Sequence, residues 1–167
     1  DPQLWAEADR IRQGEVPSSW SNFLYYILKK YLSTPEGRPL LAERKIYEQK
    51  HGITRIPSSQ TFDLEAQVIE LSRLNPEAVD SRLQDLPLAR LAENQAVILN
   101  IDYPLGFAAY HLLSRVAASA GELQGLYVIG KAATLNARIG DVLIPNVVYD
   151  EHSHNTYLLN NIFRAAD

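Results

Sequence analysis

The stretch that decides the fold is Gly130-Lys131-Ala132-Ala133-Thr134-Leu135-Asn136-Ala137-Arg138-Ile139-Gly140-Asp141-Val142-Leu143-Ile144-Pro145. It opens on a turn of small residues and closes on Gly-Asp followed by an apolar run. Immediately before it, Leu126-Tyr127-Val128-Ile129-Gly130 is apolar without a helical period, which predicts a strand buried on both faces. Further upstream, Gly106 to Ala120 is Ala-rich with Gly121 at its end, and predicts a helix. Before that helix, Ala96-Val97-Ile98-Leu99-Asn100-Ile101 predicts another buried strand. Strand, helix and strand in about 35 residues predict a parallel pair joined by a right-handed crossover. Asp141-Val142-Leu143-Ile144-Pro145 and Val147-Val148-Tyr149 predict a third extended stretch, bent at Pro145.

The first 93 residues read differently. Asp1-Pro2 opens a helix carrying Leu4, Trp5, Ala8 and Ile11. Ser18 or Ser19 caps a second, whose apolar face is Trp20, Phe23, Leu24, Ile27, Leu28 and Tyr31. Pro39 to His51, with Gly52 just past its end, predicts a third. Ser59 or Thr61 starts a fourth through Phe62, Leu64, Val68, Ile69 and Leu71. Asn75-Pro76 starts a fifth, ended by Pro87. The expected fold class is therefore α/β. A helical region over residues 1–93 precedes part of an α/β core over residues 94–167.

Composition narrows the function classes. The chain of 167 residues has 46% hydrophobic and 22% charged residues, an ordinary globular balance. A net charge of −4 argues against bulk nucleic-acid binding. No run reaches the ~20 apolar residues of a membrane span, and no signal-peptide pattern opens the chain. With no Cys there is neither a disulfide framework nor thiolate chemistry, and a cytoplasmic location is the default. The absence of Met leads us to expect that Asp1 is not the translational start and that the chain is a piece of a longer one.

The block from Gly130 to Pro145, with its preceding strand and helix, resembles the superfamily of nucleoside phosphorylases and methylthioadenosine/S-adenosylhomocysteine nucleosidases. That superfamily carries a buried strand ending in a turn G-[ST]-A-G-G-L, then a loop and an apolar residue followed by G-D-[IV]. The likeness covers about 65 of the 167 residues and lies in Gly130, Ala132, Leu135 and Ile139-Gly140-Asp141-Val142-Leu143-Ile144. It departs where Ala133 and Thr134 replace turn glycines, where Lys131 replaces a hydroxyl residue, and where Tyr103-Pro104-Leu105-Gly106 replaces a Gly-x-Gly turn.

The resemblance implies part of a three-layer core that cleaves the N-glycosidic bond of a purine nucleoside or nucleotide. It implies no cofactor beyond phosphate as a co-substrate, and a homo-oligomer. In the superfamily, the purine-binding residues, the ribose-binding Glu and the catalytic Asp lie beyond the matched segment, so no residue here is assigned as catalytic. The alternative is a phosphorylase-fold protein that has lost catalysis and binds a ligand or serves in an assembly.

Ligands of open parallel sheets sit beyond the carboxyl ends of strands. The ligand-binding candidates are accordingly Asp102, Gly106, Gly130, Lys131, Ala132 and Thr134, with His152 and His154 after the last strand. Lys131 offers a point charge to a phosphate, or is simply a solvated strand-end lysine. Asp102 accepts from a ribose hydroxyl or caps the following helix. Thr134 donates to an anion or bonds within its own turn. Asp141 is expected to accept backbone N–H bonds. Asp150, His152 and His154 have the spacing of metal ligands on an extended segment, but no metal site is expected there. A substrate contact, a subunit interface or a solvated loop are the readings retained for them.

Overall fold

The structure, a computed structural model, describes residues 2–16, 19–58, 64–102, 106–138 and 140–163. It divides into two compact units, residues 1–118 and 119–167. Helices and small antiparallel sheets make a mixed α/β protein.

In the first unit the three leading helices form where the apolar spacing places them. Helix α1 spans Pro2–Arg12, with Pro2 at its first position. Helix α2 spans Trp20–Leu32, and the Ser19 hydroxyl caps it by accepting from the Asn22 N–H at 3.2 Å. Ser18, the other expected cap, and Asp1 lie outside the described residues. Ala8 of α1 and Phe23 of α2 are buried, so the small apolar core lies where these two helices meet. Helix α3 spans Arg38–Lys50, entered through Pro39 and left through Gly52 at φ +79°.

Beyond α3 the chain departs from the helical expectation. Strand β1 (Ile53–Ile56) pairs antiparallel with β2 (Ala66–Glu70), which pairs antiparallel with β3 (Val97–Ile101). Ile69 stands opposite Ile53 on one side and Ile98 on the other. The fourth helix expected through Val68 and Ile69 is therefore the central strand of a sheet. Its apolar residues are as suited to cross-strand pairing as to a helix face, and two flanking strands decide the matter. The expected start of that helix, Ser59 to Phe62, lies outside the described residues.

The expected fifth helix breaks into 3-10 turns at Pro76–Ala78 and Ser81–Leu83. Asn75 accepts from the Glu77 N–H and Asp80 from the Arg82 N–H, at 3.1 and 2.9 Å. Those local bonds compete with the helical ladder. Val79 between them is extended at ψ 146°, which ends any continuous helix. A further 3-10 stretch, Leu88–Glu93, leads into β3.

Strand β3 and helix α4 (Gly106–Ser119) lie where the sequence places a strand and a helix. The neighbour of β3 in the sheet is β2, and the pairing is antiparallel. The boundary expected at 93/94 consequently falls inside the first unit.

In the second unit, the run Leu126–Gly130 forms no strand. Val128 and Ile129 are 87% and 94% exposed, where burial on both faces was expected. A lone extended segment gains nothing from β geometry without a ladder, and this one has no ladder partner among the described residues. The regular structure of the unit is a hairpin of β4 (Val147–Asp150) and β5 (Asn155–Leu158). Among the described residues no helix is long and apolar enough to cross a membrane.

Candidate functional site

The candidate residues fall into three local structures. Asp102 follows β3, and its N–H donates to the Glu65 carbonyl at 2.9 Å, next to the β2–β3 ladder. Gly106 opens α4 at φ +51°, a left-handed conformation that glycine adopts without strain. Tyr103, Pro104 and Leu105 of the same turn lie outside the described residues.

The second structure is the loop from Gly130 to Asp141. Gly130, Lys131 and Ala132 are exposed and irregular. Open space surrounds Gly130 where a Cβ would stand, so its backbone is accessible to a ligand. The Thr134 hydroxyl accepts from the Asn136 N–H at 3.2 Å within its own turn. Asp141 closes the loop. It accepts from the Arg138 N–H at 2.8 Å and donates its own N–H to the Arg138 carbonyl at 3.1 Å. This is the backbone-accepting geometry expected of that aspartate.

The third structure is the turn of the β4–β5 hairpin, which gathers five polar side chains. Asp150 accepts from the Ser153 hydroxyl at 2.6 Å and from the His152 N–H at 3.1 Å. The hydroxyl first, and the backbone N–H second, hold its carboxyl below the usual carboxylate range. The His152 ring stands 3.8 Å from that carboxylate and is fully exposed. His154 sits at φ 57°, a conformation uncommon for a residue with a side chain, and its Nδ1 shares a hydrogen bond with the Tyr149 hydroxyl at 3.0 Å. Sequence reasoning picked out both histidines and missed Tyr149 and Ser153. The three-residue spacing of Asp150 and Ser153 was the available signal, since an aspartate so placed closes a turn on a hydroxyl.

Chemically, the Gly130–Ala132 backbone with Lys131 offers N–H groups and one cation to an anion. The hairpin turn offers a carboxylate, two imidazoles, a phenol and a hydroxyl, groups that can hold a polar substrate or carry protons. The described residues contain no set of three or more His, Cys, Asp or Glu placed to hold a metal ion. A cleft of about 310 Å³ between α1 and α2 is lined by Leu4, Glu7, Asn22, Phe23 and Tyr26. Another of about 540 Å³ is lined by residues of the stretch Pro87 to Gln95. Neither is lined by the candidate residues.

These features define a mixed α/β protein with a polar hairpin turn and an exposed loop that carries Lys131. The chain belongs to a family of unknown function (DUF6909), whose model matches residues 1–167. No curated protein and no solved structure matches it.

Proposed function

We propose that this chain is part of an enzyme that cleaves the N-glycosidic bond of a purine nucleoside or nucleotide. The observation that carries the reading is the order of β3, then α4, then the Gly130–Pro145 block with its Gly140-Asp141. A strand and a helix precede that block, as in the phosphorylase and nucleosidase superfamily that it resembles. The finer fold, part of a three-layer α/β core, belongs to the same proposal.

In the reaction, water or phosphate attacks C1′ of the ribose as the C1′–N bond breaks. The bonding pair leaves with the base, which takes up a proton, and positive character develops on the sugar. Lys131 and the free N–H groups of the loop would hold the phosphate, or the phosphate of a nucleotide substrate, by electrostatic stabilisation. His152 and His154 would contact the substrate. The proton donor to the base is assigned to no residue of this chain. The enzyme would be a cytoplasmic homo-oligomer that needs no cofactor beyond phosphate.

A second reading is a ligand-binding or assembly protein of the same fold without catalysis. Ala133 and Thr134, in place of turn glycines, favour it, since each Cβ narrows the approach of a ligand to the backbone.

The test is release of adenine or hypoxanthine from nucleosides and nucleoside monophosphates by the native protein, with and without phosphate, followed by chromatography. Release that depends on phosphate identifies a phosphorylase, and release without it a hydrolase. Saturable binding without release moves the assignment to the second reading. Neither binding nor release would reject both.

A further inference from the structure

The charge of this chain is segregated along its length. Residues 20–55 hold seven Lys and Arg against three Glu, a net +4 in a chain of −4. Residues 65–102 hold seven Asp and Glu against three Arg. Both segments lie in the first unit.

The basic segment is an exposed surface of helices α2 and α3. Tyr25 and Tyr26 are 62% and 49% exposed, beside exposed Lys29 and Lys30. The Lys30 ammonium stands 5.0 Å over the Tyr26 ring, so the aromatic face and the charge form one patch. On α3, Lys45 and Lys50 are exposed beside Ile46. Arg44 and Arg55 both pair with Glu48, whereas Lys29, Lys30, Lys45 and Lys50 form no ion pair among the described residues.

The 3-10 stretch from Pro76 to Glu93 has the opposite character. Glu77, Asp85 and Glu93 are exposed and likewise form no ion pair among the described residues. Leu83 and Leu86 stand among them, 45% and 55% exposed. Exposed apolar side chains in a stretch with unpaired charge fit an interface patch.

We propose that these two surfaces join two copies of this chain, with α2–α3 of each copy against the 76–93 stretch of the other. A twofold axis makes the contact reciprocal, so it forms twice and closes. The charge balance selects a second copy over other anionic occupants. A nucleic acid or an anionic bilayer would meet the lysines, but it would be repelled by the −8 carried by the rest of the chain. Such an occupant would also leave Glu77, Asp85 and Glu93 without counter-charges. The proposal rests on the homo-oligomer of the proposed function and names its surfaces; it uses no residue of the 130–154 region, so it can fail while the catalytic reading stands.

Analytical ultracentrifugation of the full chain tests it. The parent is expected to sediment as a dimer in 50 mM salt and to associate about tenfold more weakly in 500 mM. Both K29E/K30E and E77K/D85K are expected to be monomers, because each places like charges opposite one another. Mixed together, the two variants are expected to recover dimers, since each reversed surface then meets its complement. That recovery also shows that both variants are folded. A monomeric parent in 50 mM salt, or a mixture that stays monomeric, would overturn the proposal. So would a parent that stays monomeric yet is retained by phosphatidylserine vesicles or a single-stranded oligonucleotide, which would assign the basic surface to that polyanion.

Discussion

The Glu48 carboxylate on α3 receives Arg55 of β1 in a two-point grip, with Nε at 2.6 Å and Nη2 at 2.9 Å. It also accepts from Arg44, one helical turn earlier, at 2.7 Å. The Glu48 side chain is only 12% exposed. This pairing fastens the last helix of the leading group to the first strand of the sheet. Planar bidentate geometry of this kind is the stronger class of ion pair.

Replacing Glu48 with Gln should lower unfolding stability by about 1–2 kcal/mol. Hydrogen bonds to charged groups contribute roughly 1.5–3 kcal/mol, and the value is discounted because the Arg55 side chain is 34% exposed and screened. Urea denaturation of Glu48→Gln, Arg55→Gln and the double variant gives the coupling directly. Additive effects would mean that the grip contributes nothing.

The same pair sets an acid limb. Hydrogen bonds from Arg55 first, with help from Arg44 and against partial burial, hold the Glu48 carboxyl below its ordinary 4.5. A carboxyl with a depressed folded pKa contributes stability that is fully present above the unfolded value and disappears as pH falls through the folded one. Stability measured from pH 7 down to pH 2 should therefore decline below about pH 4.5, and less steeply in Glu48→Gln. Parallel curves for parent and variant would remove Glu48 from the explanation.

Ser19 caps α2 through a single hydroxyl. Its replacement by Ala should cost about 1 kcal/mol, and Ser19→Asp should retain most of the stability. Circular dichroism melts of the two variants separate a capping role from a general effect of substitution.

Gly52 combines a left-handed backbone with close neighbours. At φ +79°, an added Cβ would stand 2.6 Å from the Arg73 Cβ and 2.9 Å from the Glu70 carbonyl oxygen, while its own carbonyl accepts from the Glu70 N–H. Strain and collision act together, so Gly52→Ala should destabilise by about 2 kcal/mol or more. Gly14, also at positive φ but with open space around it, should tolerate Ala at a smaller cost. Equal melting temperatures for the two variants would contradict the collision.

If the loop after Gly130 holds an anion, Lys131→Ala should weaken binding of inorganic phosphate or AMP about tenfold, read by calorimetry. Thr134→Ala reads whether the hydroxyl, which accepts from the Asn136 N–H, also donates its proton to the anion. Unchanged affinity in Lys131→Ala would withdraw the loop from the site.

Much of the candidate site is visible in sequence as residue types, and little of it as geometry. His152 and His154 stand out beside Asp150 as a polar run after a strand. That Asp150 spends its carboxylate on Ser153 and the His152 N–H, and that Tyr149 meets His154, follows from the hairpin folding back at residues 151–154. Spacing along the chain does not reveal which side chains a turn will bring face to face.

The sequence by itself determined the elements held by local forces. Helices α1, α2, α3 and α4 follow from apolar spacing, from Ser19 and from Gly52, because a helix satisfies its backbone within its own residues. Strand β3 was legible too, as a short apolar run with no helical period. Only the tertiary structure decided that Val68 and Ile69 form a central strand, that β1 exists, and that β3 lies antiparallel to β2. It likewise decided that Val147–Asp150 pairs with Asn155–Leu158. A strand's backbone bonds lie in its neighbours, so its identity depends on residues far along the chain that no local pattern encodes.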